Sequence, residues 1–214
     1  MIIVVDVDQA EQDLAADRLA CPHCHGALRA WSHAARRGVR QLDAPDLHVR
    51  PRRARCTACG ATQVLLPASC LPRRADATEV IGAALLAKAQ GQGYRRIARD
   101  LHRPVSTVRR WLRRATDEQV EWLRRRGIDR ARLLDAEVLA HLAPHRTGLA
   151  DALAALGAAV AAWRRRFTRH AAAWTLIGVF TGGRLLGPTP PGDQLRGSRG
   201  PMRPAPPRTP AATR

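Results

Sequence analysis

An unbroken apolar run, Ile2-Ile3-Val4-Val5, meets Asp6 and Asp8 at once, a pattern that predicts a short buried strand. Gln9 to Leu19 is polar with scattered apolar positions and predicts a short helix or a loop. From 25 to 55 apolar and polar residues alternate, which predicts strands at Leu28–His33, Val39–Leu42 and Leu47–Arg55, with turns at Arg37-Gly38 and Ala44-Pro45-Asp46. A further strand, Thr62–Leu66, ends at Pro67.

After residue 70 the period lengthens to that of a helix. Asp76 and Glu79 ahead of Val80, Ile81, Ala84 and Leu85 predict a capped amphipathic helix to about Gln90, stopped by Gly91 and Gly93. Ile97, Ala98 and Leu101 then line one short helix. Val105, Val108, Trp111 and Leu112 line the next, which Pro104 begins. This second helix is expected to continue past Thr116 through Val120, Trp122 and Leu123 to Gly127, with Arg124-Arg125-Arg126 at the negative pole of its dipole. Helices over Ile128–His141, Thr147–His170 and Ala171–Phe180 follow. In the middle one, Leu149, Leu153, Leu156, Val160, Trp163 and Phe167 recur at steps of four and three, a heptad seam that serves either packing within the chain or a homodimer. Gly187 to Arg214, rich in Pro, Gly, Arg, Ser and Thr without periodicity, is expected to be a disordered basic tail.

Two Cys-x-x-Cys pairs, Cys21-Pro22-His23-Cys24 and Cys56-Thr57-Ala58-Cys59-Gly60, flank the strand region. Two paired thiolates on tight turns supply the closed tetrahedral shell that structural Zn2+ takes, so Cys21, Cys24, Cys56 and Cys59 are the candidate ligands. His25 is the nearest substitute, and no histidine is needed to complete the shell. Gly60 suits a turn in which backbone N–H groups point at sulfur. Cys70, left over, reads as a small buried hydrophobe or a free thiol. The expected fold class is α+β: a small N-terminal β zinc ribbon, then a mostly helical helix-turn-helix region and a helical C-terminal region. The expected domains are 1–70, 76–126 and 128–186, with the tail over 187–214; the 128–186 region is a candidate for oligomerisation or docking.

Residues 93 to 112 carry the second motif. Ala98 lets two short helices approach, and the second shows Ser106, Thr107, Arg109, Arg110 and Arg113 on the face away from Val108 and Trp111. That is the set expected of a recognition helix, whose N-terminal half meets base edges while basic neighbours hold phosphates. With Arg95, Arg96, Arg103 and Arg114 these are the candidate DNA contacts. The turn is unusual: His102 stands where glycine is favoured and Arg103 where an apolar residue is usual, although histidine tolerates the left-handed conformation better than most residues.

The chain has 36 Lys plus Arg against 18 Asp plus Glu, a net charge of +18 carried almost wholly by arginine. Arginine's planar fork fits phosphates and guanine edges, which makes nucleic acid the natural partner. Aromatic residues at 4% disfavour an RNA-binding stacking platform. The first apolar run lacks a basic leader and is no secretory signal. Later apolar stretches fall short of the ~20 residues a bilayer span needs. A cytoplasmic, nucleoid-associated protein without membrane contact is expected, and there paired cysteines serve metal rather than disulfides.

The cysteine pairs, the arginine-rich strands with Val39-Arg40-Gln41-Leu42, His48-Val49-Arg50 and Arg52-Arg53-Ala54-Arg55, and the helix-turn-helix together resemble the N-terminal half of insertion-sequence transposases. They also resemble short bacterial proteins that keep this module with only a small helical C-terminal region. The resemblance covers residues 21 to about 126. It implies zinc at the four cysteines and DNA contacts from Ser106, Thr107, Arg109 and Arg110. In the transposases a ribonuclease-H-type domain follows, with three carboxylates converging on two metal ions. Here Asp117, Glu118, Glu121, Asp129, Asp135, Glu137, Asp151 and Asp193 fall nearly all on expected helices, with no run of strands to display them. Phosphate-loop, His-Glu-x-x-His and nucleophile-elbow patterns are also missing. The expectation is a non-enzymatic, zinc-containing DNA binder, transposition-associated or transcriptional. The alternative is a truncated transposase or a subunit that works with a separately encoded catalytic chain.

Overall fold

A computed structural model describes residues 1–167 and 171–187. The tail expected from Gly187 onward lies, Gly187 apart, outside the described residues, as do Thr168 to His170 at the end of an expected helix. The architecture is α+β, with a small sheet at the N-terminal end and helices from there on.

Four strands form one sheet in the order β1 (Ile2–Val4), β6 (Thr62–Pro67), β5 (Arg52–Cys56) and β2 (Leu28–His33). β1 runs parallel to β6, and the other neighbours are antiparallel. Helix α1 (Val7–Ala15) begins where Asp6 accepts hydrogen bonds from the N–H groups of Asp8 and Gln9. Its Ala10 and Leu14 cover Leu28, Ala54, Cys56 and Leu65 on one face of the sheet. A separate hairpin pairs β3 (Arg37–Val39) with β4 (Leu47–Val49).

The strand edges differ from the sequence expectation for physical reasons. The run expected at Leu47–Arg55 breaks at Arg50-Pro51, because Pro51 has no N–H to donate to a ladder. The strand expected at Val39–Leu42 shifts to Arg37–Val39, and the expected Arg37-Gly38 turn is part of it. Arg40 leaves the hairpin to bridge the segment before the next helix: its N–H donates to Ala75 O at 2.8 Å, and the Ala77 N–H donates to Arg40 O at 2.9 Å.

That next helix, α2 (Thr78–Ala89), has Ala77 at its N-cap with no side-chain cap bond. Asp76, expected to cap it, is instead an inward ion-pair partner. Helices α3 (Tyr94–Asp100) and α4 (Val105–Leu112) cross at the turn, and Ile97, Ala98, Val108 and Trp111 are buried together as their spacing predicts.

The expected long helix to Gly127 is two helices. α4 stops at Leu112, and Thr116, extended in backbone, starts α5 (Asp117–Leu134) by accepting from the Gln119 N–H. α5 runs straight through Gly127, so Arg124-Arg125-Arg126 lie mid-helix rather than at its end. Arg124 and Arg125 each pair with Glu121 at 2.7 Å and, Arg124 foremost, hold its carboxyl down at about 2. A 3-10 turn (Ala136–His141) leads to α6 (Gly148–Arg166), capped by Thr147, and then to α7 (Ala173–Phe180).

The heptad seam packs within the chain. Leu153, Leu156 and Val160 sit in the main core against α5 and α7, while Phe167 is exposed and leans on Trp163 at 5.2 Å. Gly127 is where α5 and α6 come closest: a Cβ there would lie 2.5 Å from the Ala155 carbonyl carbon. Gly127→Ala should therefore destabilise the chain by ~1–3 kcal/mol through backbone displacement. Helix propensity alone would stabilise it by up to ~1 kcal/mol. Urea denaturation of the two chains decides the sign, and a more stable variant would contradict this packing.

Candidate metal centre and nucleic-acid interface

The two cysteine turns are copies of one another. Cys21 N–H donates to Gly26 O (2.8 Å) and His25 N–H to Cys21 O (2.9 Å); Cys56 N–H donates to Ala61 O (2.9 Å) and Gly60 N–H to Cys56 O (3.1 Å). Each turn needs a left-handed residue directly after its second cysteine. Gly60 supplies it at φ 70° and His25 at φ 61°. His25 thus has a backbone role, and it is not among the residues that converge.

Those residues are Cys21, Cys24, Cys56 and Cys59, whose Sγ atoms all lie within 4.8 Å of one another. Cys21 and Cys59 are 3.8 Å apart and Cys24 and Cys56 3.4 Å, close to the ~3.8 Å sulfur separation of a tetrahedral site with ~2.3 Å metal–sulfur bonds. The Cys59 N–H first, with other neighbours, pulls the Cys56 thiol down to about 6. Cys59 goes the other way, up to about 12: the Ala61 N–H favours its thiolate, but the sulfurs of Cys24, Cys56 and Cys21 together with burial outweigh it. Thiolates packed this closely repel, and a divalent cation among them removes the repulsion. The quartet is compatible with a metal site.

Gly26 is a residue of this centre that sequence reasoning missed. A Cβ there would stand 2.8 Å from Ala58 Cβ and 3.2 Å from Cys56 Sγ, so the first turn passes the second only as glycine. Its signal was its place, matching Ala61 in the other turn. Cys70 lies apart, buried in the helical core beside Leu71 and Ala77, as a small hydrophobe would.

The turn between α3 and α4 explains both of its unusual residues. His102 takes the left-handed conformation at φ 51°. Arg103, expected among the DNA contacts, points inward instead. Its Nε donates to Asp76 Oδ1 at 2.7 Å, its Nη2 to Gln41 O at 2.7 Å, and its Nη1 to the carbonyls of Leu101 and His102 at 3.2 Å. The Asp76 side chain is only 3% exposed and also accepts from Arg40 Nη2 at 2.7 Å. An apolar residue in the turn would leave this carboxylate short of a partner.

The other candidates face outward. On α4 and just after it, Ser106, Arg109, Arg110, Arg113 and Arg114 are exposed and Thr107 is half-buried. The four arginines make no ion pair with the described residues. On α3, Arg95 lies over the Tyr94 ring at 5.8 Å and Arg96 pairs with Asp100 at 3.6 Å. Arg74, in the segment before α2, joins this surface unforeseen: burial first, then the charges of Arg114 and Arg110, lower its pKa. In sequence it falls between the expected domains 1–70 and 76–126, with no local signal that this stretch folds back towards α4.

These features define a class: a four-cysteine ribbon tied to a three-helix unit whose last helix is basic and open. Residues 76–125 match the family model for a homeodomain-like domain, which supports DNA binding. No curated protein and no solved structure matches the chain. Among the described residues no helix is long and apolar enough to cross a membrane.

Native mass spectrometry should find one metal ion per chain. Cys56→Ser should release it and unfold the ribbon, because Cys56 would be a ligand of that ion and is part of the small core with Leu28 and Ala54. A ribbon that keeps its circular dichroism after chelation would contradict a metal staple.

Proposed function

We propose that the chain is a zinc-containing, non-enzymatic helix-turn-helix protein that binds double-stranded DNA in a transposition-associated or transcriptional role. The observation that carries this reading is the unpaired arginine set of Arg109, Arg110, Arg113 and Arg114 on one open surface of a segment that matches a homeodomain-like domain. Cations held without counter-ions, beside a further arginine that repels them, are arranged for an absent anion. A recognition helix lies in the major groove, where arginine forks meet guanine edges or phosphates.

Zinc is the metal that four cysteine thiolates in a tetrahedron favour, and in this closed shell it is structural. Among the described residues the cysteines form the one His, Cys, Asp or Glu group placed to hold a metal ion, and the carboxylates from Asp117 to Asp151 lie on helices, at their caps or in the 3-10 turn. The helical placement of these carboxylates, without strands to converge them, is what favours a binding protein over a nuclease or strand-transfer enzyme.

The protein's own residues divide the work. Asp76, through Arg103, fixes the turn from which α4 projects. Ser106, Thr107, Arg109 and Arg110 offer the donors for base edges, while Arg95, Arg96, Arg113, Arg114 and Arg74 lie around them for the phosphates.

Selection from a pool of random duplexes, read out by sequencing, tests this. The wild-type chain should enrich a motif, and Arg109→Ala/Arg110→Ala should lose it with a cost of ~1–3 kcal/mol per base contact. Binding should also weaken with added salt. Salt-sensitive binding without enrichment, equal in both proteins, would contradict a sequence-reading helix.

A further inference from the structure

α1 covers one face of the ribbon sheet; on the other face Leu66 at the end of β6 joins the helical core, and the part over β2 and β5 is open. Residues 54, 56 and 65 turn toward α1, so their neighbours Arg53 and Arg55 on β5 and Val64 on β6 turn the other way. Across the sheet Arg55 stands opposite Arg29 of β2, and Arg53 opposite Val64. The β2–β5 register shifts between Ala30 and Ser32, leaving Trp31 without a cross-strand partner. The bulge brings the Trp31 ring under the Arg55 guanidinium, 5.0 Å from its centroid, with the tryptophan 60% exposed.

Neither feature serves the ribbon itself. Like charges directly opposite on a sheet are destabilising, and a bulge that lifts tryptophan into water forgoes its burial. Among the described residues Arg29 alone of the three arginines has an acid, the exposed Asp17 at 3.2 Å. Arg53 makes no ion pair with the described residues, and Arg55 has only the ring. The face therefore holds net positive charge around one open aromatic surface.

We infer that this face is a second nucleic-acid site, one that takes an unpaired DNA strand by stacking a base on Trp31 and seating phosphates on Arg53 and Arg55. Duplex DNA hides its base faces within the stack, so only an unpaired strand offers the flat partner that an exposed indole fits. A guanidinium on one side of the ring and a base on the other complete a sandwich. Aromatics are few in this chain, but a single well-placed ring suffices for one base. The choice of DNA over RNA rests on the duplex-binding reading of α4; the stacking site itself does not.

The test uses the full, metal-loaded chain and fluorescence anisotropy with three probes: a labelled thymidine strand of about 20 nucleotides, a uridine RNA strand of the same length, and a mixed-sequence duplex. Trp31→Ala should weaken the thymidine strand about tenfold and Trp31→Phe much less. Arg53→Ala should weaken it and flatten its salt dependence. All three variants should bind the duplex as wild type does, whereas Arg109→Ala/Arg110→Ala should lose the duplex and keep the single strand. Metal content by native mass spectrometry verifies the ribbon in each variant. The inference is overturned by unchanged thymidine-strand binding in both Trp31→Ala and Arg53→Ala, by parallel losses on duplex and single strand, or by tighter binding of the RNA. Loss of duplex binding alone in the wild type would sink the helix-turn-helix reading and leave this one standing.

Discussion

The buried carboxylate of Asp76 is the interaction on which the arrangement of this chain depends. It comes from the junction between the ribbon and α2, and its two partners come from opposite sides: Arg40 from the end of the β3–β4 hairpin and Arg103 from the helix-turn-helix turn. A carboxylate this deep is tolerable only with both charges and hydrogen bonds around it, and removing Arg103, the buried partner, costs ~3–5 kcal/mol because Asp76 stays buried and under-matched, whereas the more exposed Arg40 contributes less. Arg103 extends the junction by donating to Gln41 O, and Arg40 extends it through backbone bonds to Ala75 and Ala77. The ribbon and the helix-turn-helix are thereby held in one relative orientation, and α4 projects from a fixed base.

Two further constraints act outward from that junction. On the ribbon side the core is small, with α1, a few aliphatic residues and two of the cysteines, so a metal among the thiolates would supply stability that burial cannot. On the helical side stability comes from close approach: α6 offers Ala152, Ala155, Ala159 and Ala162 buried, and α5 meets it at Gly127. Many of the arginines among the described residues, Arg109, Arg110, Arg113 and Arg114 with them, lie exposed on the outer surfaces.

What was legible in the sequence was whatever depends on local spacing. Each Cys-x-x-Cys pair, the packing residues Ile97, Ala98, Val108 and Trp111, and the left-handed tolerance of His102 follow from neighbours close in sequence, and the pairing of the two cysteine turns follows from the chemistry of a four-thiolate shell. What was hidden depends on long-range geometry. Asp76 has the spacing of a helix cap, and only the folded arrangement of Arg40 and Arg103 draws it inside. Arg103 reads as a surface cation for the same reason. Gly127 looks like a helix stop until α6 is seen against it, and the break before Thr116 interrupts a run whose apolar period never falters. The parallel pairing of Ile2–Val4 with Leu65–Pro67 joins residues too far apart for any local signal, and Arg74 reaches the α4 surface only through the path of its linker.

Amide hydrogen exchange of the full chain with and without a mixed-sequence duplex at low salt tests the central claim most directly, that α4 on its Asp76-anchored turn is the duplex-binding surface. The account predicts slowed exchange centred on residues 104–114 and on the segment around Arg74, with the α5–α6 interface unchanged. Slowing confined to α5–α7, or none across α4, would contradict it.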